Sequence, residues 1–258
     1  MTTPWRRETP ALPAQIETVY FIGVCGTGMG SLAGMMRERG YAVSGSDTSI
    51  YPPMSDQLAA AGVEVWQGWD GDNIARANPD LVVVGNVCRK DNAELVAAQA
   101  QGRACLSFPE VLRLLFLEQA AQRLVVTGTH GKTTTATLLA WLLEAAGKKP
   151  SFMIGGITGN WGANYKLDSG EIFVVEGDEY DTACFDKVPK FFHYAPTSLI
   201  INNIEFDHAD IYPSVEVIEG VFREMLARLP RGAKVYANLD DARVRRVCEA
   251  RAEGVSVE

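Results

Sequence analysis

At 258 residues and 28.1 kDa the chain is long for one domain and short for three. It is 47% hydrophobic and 22% charged, which excludes a disordered chain. Its 32 acidic against 24 basic residues (net charge -8) argue against a nucleic-acid partner or an anionic membrane surface, but not against a local phosphate site. Residues 1–15 carry three prolines and no periodicity and read as a loose arm. The apolar run 19–36 after Arg6-Arg7 has the outline of a signal or membrane segment, yet it holds Gly23, Gly26, Gly28, Gly30 and Gly34. So much backbone freedom suits a strand, a glycine loop and a helix instead. The expected elements are a strand at 18–22, a helix at 31–39 stopped by Gly40, and a strand at 41–46 ending at Asp47, together a βαβ unit. A short helix at 58–62, a strand at 63–66 and a buried strand at 81–84, ending at Gly85-Asn86, follow.

A second cycle begins after residue 120: a strand at 124–127, a loop at 128–132 and a helix at 133–146 closed by Gly147. Buried strands are expected at 172–175 and 199–201, and Pro213-Ser214 opens a helix with Ile218, Phe222, Met225 and Leu229 at helical spacing. A strand at 234–237 and the start of another at 255–258 complete the reading. The fold class is α/β: a Rossmann-like parallel-sheet domain over 1–120 and a P-loop α/β domain over 121–258. Cys25, Cys88, Cys105, Cys184 and Cys248 are scattered, with no CxxC pair, which speaks against a disulfide scaffold or zinc ribbon and suits a reducing cytoplasm.

The strongest chemical signal is Gly128-Thr129-His130-Gly131-Lys132-Thr133-Thr134-Thr135 between a strand and a helix. Glycines let successive N–H groups turn toward phosphate oxygens, and the helix N-terminus adds positive potential. Lys132 would reach terminal phosphates and the Thr133 hydroxyl would hold magnesium. The general pattern asks for glycine where Val126 stands. A glycine turn with a solvated lysine is the plainer alternative, but strand, Gly-Lys-Thr and helix fall in the right order. Glu176 ends the next buried strand. At about 5 Å and an effective dielectric of about 20, a carboxylate facing a phosphate costs roughly 3 kcal/mol per charge pair, so a cation is implied between them. Asp178 and Glu179 read well as a solvated acidic turn. His208 follows a strand directly, where ligand groups gather in α/β folds. His130 lies inside the phosphate loop, and His193, after two phenylalanines, reads as a packed or capping group.

At the amino end, Gly26-Thr27-Gly28-Met29-Gly30 opens the first helix and Asp47 closes the next strand. The order is that of a dinucleotide fingerprint, but Ser31 stands where its third glycine belongs. A UDP-type pyrophosphate and a nicotinamide dinucleotide both fit, and so does a plain structural turn.

Together, residues 128–135, Glu176-Gly177-Asp178-Glu179-Tyr180-Asp181 and Asn202-Asn203-Ile204-Glu205-Phe206-Asp207-His208-Ala209-Asp210 resemble the Mur ligase family. The amino-terminal glycine loop and Gly45-Ser46-Asp47 are similar to the branch that binds UDP-N-acetylmuramic acid. Tyr51-Pro52-Pro53-Met54-Ser55, Glu179-Tyr180-Asp181, Phe185-Asp186-Lys187 and His193-Tyr194 resemble the members that add the tripeptide L-Ala-γ-D-Glu-meso-diaminopimelate during cell-wall recycling. In the L-alanine-adding members serine usually stands at the position of Tyr180.

The resemblance implies an ATP- and Mg2+-dependent amide ligase working through an acyl phosphate. Lys132, Glu176 and His208 would be catalytic. Gly128, Thr129, His130, Gly131, Lys132, Thr133 and Thr134 would hold ATP, and Thr133, Glu176 and His208 the metal. Gly26, Thr27, Gly28, Met29, Gly30, Asp47, Asn86 and Asn164 would meet the UDP-sugar. It also implies a three-domain protein of which this sequence reaches only into the second domain. Binding of UDP-N-acetylmuramic acid without ligation is therefore expected of the chain itself. An L-alanine ligase and a non-catalytic UDP-sugar or nucleotide-binding module are the alternatives. A nicotinamide oxidoreductase would leave Lys132, Glu176 and His208 without a purpose, and no Asn-Lys-x-Asp motif supports a GTP switch.

Overall fold

The computed structural model describes residues 11–207 and 211–258. Most of the expected amino-terminal arm, and His208 with its two successors, lie outside the described residues. Contacts divide the chain into two compact units: Met1–Leu115 with Asp181–Pro189, and Phe116–Tyr180 with Lys190–Glu258.

The first unit begins with β1 (Thr18–Ile22), α1 (Thr27–Glu38), β2 (Ala42–Asp47), α2 (Met54–Ala60) and β3 (Glu64–Gln67). It continues with α3 (Asp72–Ala77), β4 (Leu81–Val84), α4 (Ala93–Ala100), β5 (Ala104–Ser107) and α5 (Phe108–Leu115). The five strands form one parallel sheet in the order β3-β2-β1-β4-β5. The strand order reverses between β1 and β4, and their carboxyl ends, at Gly23 and Gly85, flank the crevice where α/β proteins bind ligands. β4 is Leu-Val-Val-Val, buried throughout, as a strand covered on both faces requires.

α1 starts at Thr27, four residues before the expected helix. Glycine's low helix propensity argued for a loop there, but packing overrides it. A Cβ on Gly28 would lie 3.3 Å from the Phe108 ring, and one on Gly30 would lie 2.1 Å from Met54 Sδ. The glycines are in the helix because α2 and Phe108 come that close.

The second unit holds β6 (Gln122–Thr127), α6 (Lys132–Ala145), β7 (Ser151–Met153), β8 (Tyr165–Lys166) and β9 (Ile172–Glu176). After the hairpin β10 (Asp181–Ala183) and β11 (Asp186–Pro189) come β12 (Ser198–Ile201), α7 (Val215–Ala227), β13 (Lys234–Ala237), α8 (Ala242–Cys248) and β14 (Ser256–Val257). The sheet runs β14-β13-β12-β6-β9-β7-β8, parallel except for β8. β6 lies between β12 and β9, with Thr127 opposite Ile201 and Val126 opposite Glu176. The loop leaving β6 therefore sits between Asn202 on one side and Glu176 on the other. Ala136 and Ala140 of α6 pack on Val126, Phe152 and Val174, their small side chains bringing the helix close to the sheet.

The hairpin β10–β11 belongs by its contacts to the first unit, where Cys184 joins the core around Tyr20, Val82, Val84 and Cys88. The single division near residue 120 gives no hint of this. All five cysteines are free. Among the described residues, no helix is long and apolar enough to cross a membrane.

Candidate nucleotide and UDP-sugar sites

In the second unit, Thr127 passes into a loop whose glycines take conformations other residues avoid: φ is +127° at Gly128 and +78° at Gly131. Asn202 and Asn203 hold this loop from the end of β12. The His130 N–H donates to Asn203 Oδ1 at 2.8 Å, and the His130 carbonyl accepts from Asn202 Nδ2 at 3.2 Å. A Cβ on Gly128 would meet the Asn203 nitrogen at 3.0 Å, so glycine is the residue that lets the two segments pack. The Thr135 N–H bonds back to the Gly131 carbonyl at 2.9 Å. The N–H groups of Lys132, Thr133 and Thr134 ahead of it are the open donors of a helix start.

Glu176 is half-buried at the end of β9, and burial pushes its carboxyl above the usual range. The Thr133 hydroxyl, the Gly155 N–H and the Lys132 charge pull it the other way. Its Oε2 accepts from Gly155 N–H at 3.0 Å, while Oε1 is buried and has no hydrogen-bond partner. A buried carboxylate oxygen without a donor, beside a threonine hydroxyl, is a hard-oxygen donor set suited to Mg2+. The residues present thus fit a divalent cation. Gly177 follows because a Cβ there would lie 2.4 Å from Thr127 Cγ2.

Lys132 does not reach outward. Its Nζ donates to the carbonyls of Gly128 (2.8 Å) and Thr129 (3.2 Å) and to both carboxylate oxygens of Glu179 (3.0 Å each). Glu179, expected in a solvated acidic turn, is 4% exposed. The reason is the half-buried Lys132, whose ammonium takes both carboxylate oxygens as its counter-charge. Asp178 is not free either, since Lys190 Nζ approaches to 2.6 Å. His130 is exposed, with Nε2 3.8 Å from Glu205. His193 is half-buried in the short turn Lys190–His193. A cavity of about 600 Å³ opens beside the loop, lined by His130, Gly131, Asn202, Asn203, Tyr236 and Asn238 among others. Asn164, buried in this unit, accepts the Ile154 N–H on its carbonyl at 2.8 Å.

In the first unit, a cavity of about 310 Å³ lies at the ends of β1 and β4. Gly26, Met29, Asp47 and Asn86 line it, with Cys25, Tyr51 and Trp69. Asp47 shapes the loop directly: Oδ2 accepts from Cys25 N–H at 2.9 Å and Oδ1 from Ser49 N–H at 3.0 Å. Burial, then the charge of Asp47, push the Cys25 thiol up to about 11. Thr27 is exposed on the first turn of α1, while Gly28 faces Phe108 and Gly30 faces Met54. Gly26, Met29, Asp47 and Asn86 are therefore gathered at one cavity; Gly30 serves the packing of α1 on α2.

Sequence reasoning missed Glu179 and gave Asn202 and Asn203 no role. It also missed Tyr212, whose hydroxyl donates to the Glu179 carbonyl at 2.6 Å. An acid three places beyond a strand-end acid was the available signal, but spacing alone does not tell a solvated turn from a buried ion pair.

A glycine loop between strand and helix, a strand-end acid next to it and a second glycine loop at a switch point define a two-unit α/β protein with a glycine loop at a strand end in each unit. The chain belongs to the Mur ligase family: residues 18–119 match the model described as Mur ligase family, catalytic domain, and residues 126–257 match the Mur ligase middle domain. It is 42% identical over 217 residues to the UDP-N-acetylmuramate–L-alanyl-γ-D-glutamyl-meso-2,6-diaminoheptandioate ligase of Escherichia coli K12, covering 84% of this chain and 47% of that protein. It is 39% identical over 232 residues to the UDP-N-acetylmuramate–L-alanine ligase of Paenarthrobacter aurescens, covering 90% and 48%. The crystal structure of the murein peptide ligase from Neisseria meningitides superposes with a TM-score of 0.88 at 38% identity, over 95% of this chain and 78% of that one. The chain spans about half the length of the curated relatives it matches.

Proposed function

We propose that the protein carrying this chain is an ATP-dependent amide ligase that joins UDP-N-acetylmuramic acid to the tripeptide L-Ala-γ-D-Glu-meso-diaminopimelate, in the cytoplasm. In this reading the lactyl carboxylate of the UDP-sugar takes the γ-phosphoryl group of ATP. The peptide amine then attacks the acyl phosphate and leaves amide, ADP and phosphate. The residues of the first-unit cavity (Gly26, Met29, Asp47, Asn86) hold the UDP moiety. The loop from Gly128 to Thr134 holds the ATP phosphates by its N–H groups, with Lys132 countering charge at the terminal phosphates. A magnesium ion, held by Thr133 and Glu176 with His208 as a further ligand, would neutralise the phosphate oxygens. Asn164 contacts the muramyl portion.

The observation that carries the reading is Glu176: a half-buried strand-end carboxylate whose buried Oε1 has no hydrogen-bond partner, beside Thr133. Relatives named for the tripeptide and for L-alanine match at 42% and 39% identity, so the test offers both amines. The full-length protein is incubated with UDP-N-acetylmuramic acid, Mg-ATP and either amine, and products are read by mass spectrometry. The tripeptide adduct with matching ADP is expected. Product from L-alanine alone would move the assignment to the alanine ligase, and nucleotide binding without ADP release would leave a binding module.

A further inference from the structure

We propose that Glu179 is a placeholder for nucleotide phosphate, a carboxylate bonded to Lys132 that ATP must displace. The inference rests on the nucleotide-site reading above and concerns which anion Lys132 holds. An ammonium has three N–H donors, and Lys132 Nζ has four acceptors within reach: the carbonyls of Gly128 and Thr129 and the two oxygens of Glu179. No donor is left for a phosphate. The pair is well sheltered, with side-chain exposures of 16% for Lys132 and 4% for Glu179.

The two Glu179 oxygens, each 3.0 Å from the ammonium, stand where Lys132 is expected to meet two phosphate oxygens. A carboxylate and a phosphate compete for one cation, and only one can hold it fully without crowding like charges. With Glu179 on Lys132 the ammonium charge is cancelled, leaving the N–H groups of the α6 start as the attraction for an anion. Glu179 is itself fixed: the Tyr212 hydroxyl holds its carbonyl at 2.6 Å, and Tyr212 is buried.

The test is calorimetric titration of the chain with Mg-ATP and with a non-hydrolysable analogue. Glu179→Gln keeps the shape and one acceptor but loses the charge. It should bind Mg-ATP about ten-fold more tightly, equivalent to about 1.4 kcal/mol, while its ligand-free form unfolds at lower urea. Glu179→Asp keeps the charge and should stay close to the native affinity, which a merely structural role for the side chain does not anticipate. Tyr212→Phe, which removes the hydroxyl that holds the Glu179 carbonyl, should also tighten binding, and it carries the test if Glu179→Gln does not fold. Lys132→Ala serves as the reference. If it weakens Mg-ATP while Glu179→Gln leaves affinity unchanged or lower, the placeholder is wrong and the nucleotide site stands. If neither substitution changes Mg-ATP affinity, the nucleotide-site reading itself fails.

Discussion

Gly155→Ala places the smallest side-chain perturbation directly against the proposed metal acid. A Cβ built on Gly155 lies 2.4 Å from Glu176 Oε2, well inside contact distance, and that oxygen is the one bonded to the Gly155 N–H at 3.0 Å. To relieve the overlap the carboxylate must withdraw by about 1 Å, which breaks that bond. Gly155 is exposed and Oε2 ends a flexible side chain, so the methyl displaces little packed structure and the cost is mainly the lost bond. A hydrogen bond to a charged acceptor contributes about 1.5–3 kcal/mol when sheltered, and with Glu176 half-buried the expected loss of stability is about 1–2 kcal/mol. Both Glu176 oxygens are then without a donor, and the one aimed at the cation is moved. Urea unfolding of the free chain reads the first effect. Mg-ATP titrations at graded magnesium read the second, with more magnesium needed for half-maximal binding. Native stability together with native magnesium dependence would refute the claim that Gly155 is glycine because Glu176 needs the space.

Lys132→Ala should weaken Mg-ATP binding and leave UDP-N-acetylmuramic acid binding nearly intact, since the proposed ligands sit on glycine loops of different units; equal losses by calorimetry would sink the two-site assignment. Glu94→Ala should cost about 2–4 kcal/mol by urea unfolding, because this fully buried carboxylate accepts from Tyr20 Oη (2.9 Å), Ser46 Oγ (2.5 Å) and Asn73 Nδ2 (2.7 Å), and an unchanged midpoint would show that these donors find other partners. The N–H groups of Glu17 and Thr18 and the Thr18 hydroxyl hold the Asp80 carboxyl below its usual range, so its stabilisation is present above the unfolded carboxylate value and fades as pH falls through the lower folded one. Asp80→Asn should therefore be less stable than the native chain at neutral pH, with the gap closing in strong acid, and a gap independent of pH would contradict that origin.

What was legible in the sequence follows from how local each cause is. β1 and β4 were readable to the residue, because apolar runs that stop at Gly23 and Gly85 carry their own signal. α6 was displaced by only one residue, as Gly131 and Gly147 mark its ends. α3, α4, α5, α8, β5 and β7 were missed. α4 begins with Asn92 accepting from the Glu94 and Leu95 N–H groups, a capping signal within reach of a closer reading. The hairpin β10–β11 was beyond reach. Its place depends on Cys184 entering a core made by Tyr20, Val82 and Val84, all more than 90 residues away along the chain.

The site divides along the same line. The order strand, Gly-Lys-Thr, helix puts a glycine loop between β6 and α6 wherever the sheet happens to be, so the loop of residues 128–131 could be read from a single stretch. Glu176 could be read as well, because a charged residue ending Ile-Phe-Val-Val has to lie at a strand's carboxyl edge. The roles of Asn202, Asn203 and Glu179 depend instead on strand order. Only once β12 and β9 flank β6 do two asparagines become the struts of the loop from Gly128 to Gly131. Glu179 shows the limit most sharply, since four acids between 176 and 181 look alike in sequence. One is buried against Gly155 with an oxygen free, one grips Lys132, one pairs with Lys190 and one with Lys187. Their chemistry differs because their partners differ, and two of those partners, Gly155 and Lys132, reach them only through the packing of the second sheet.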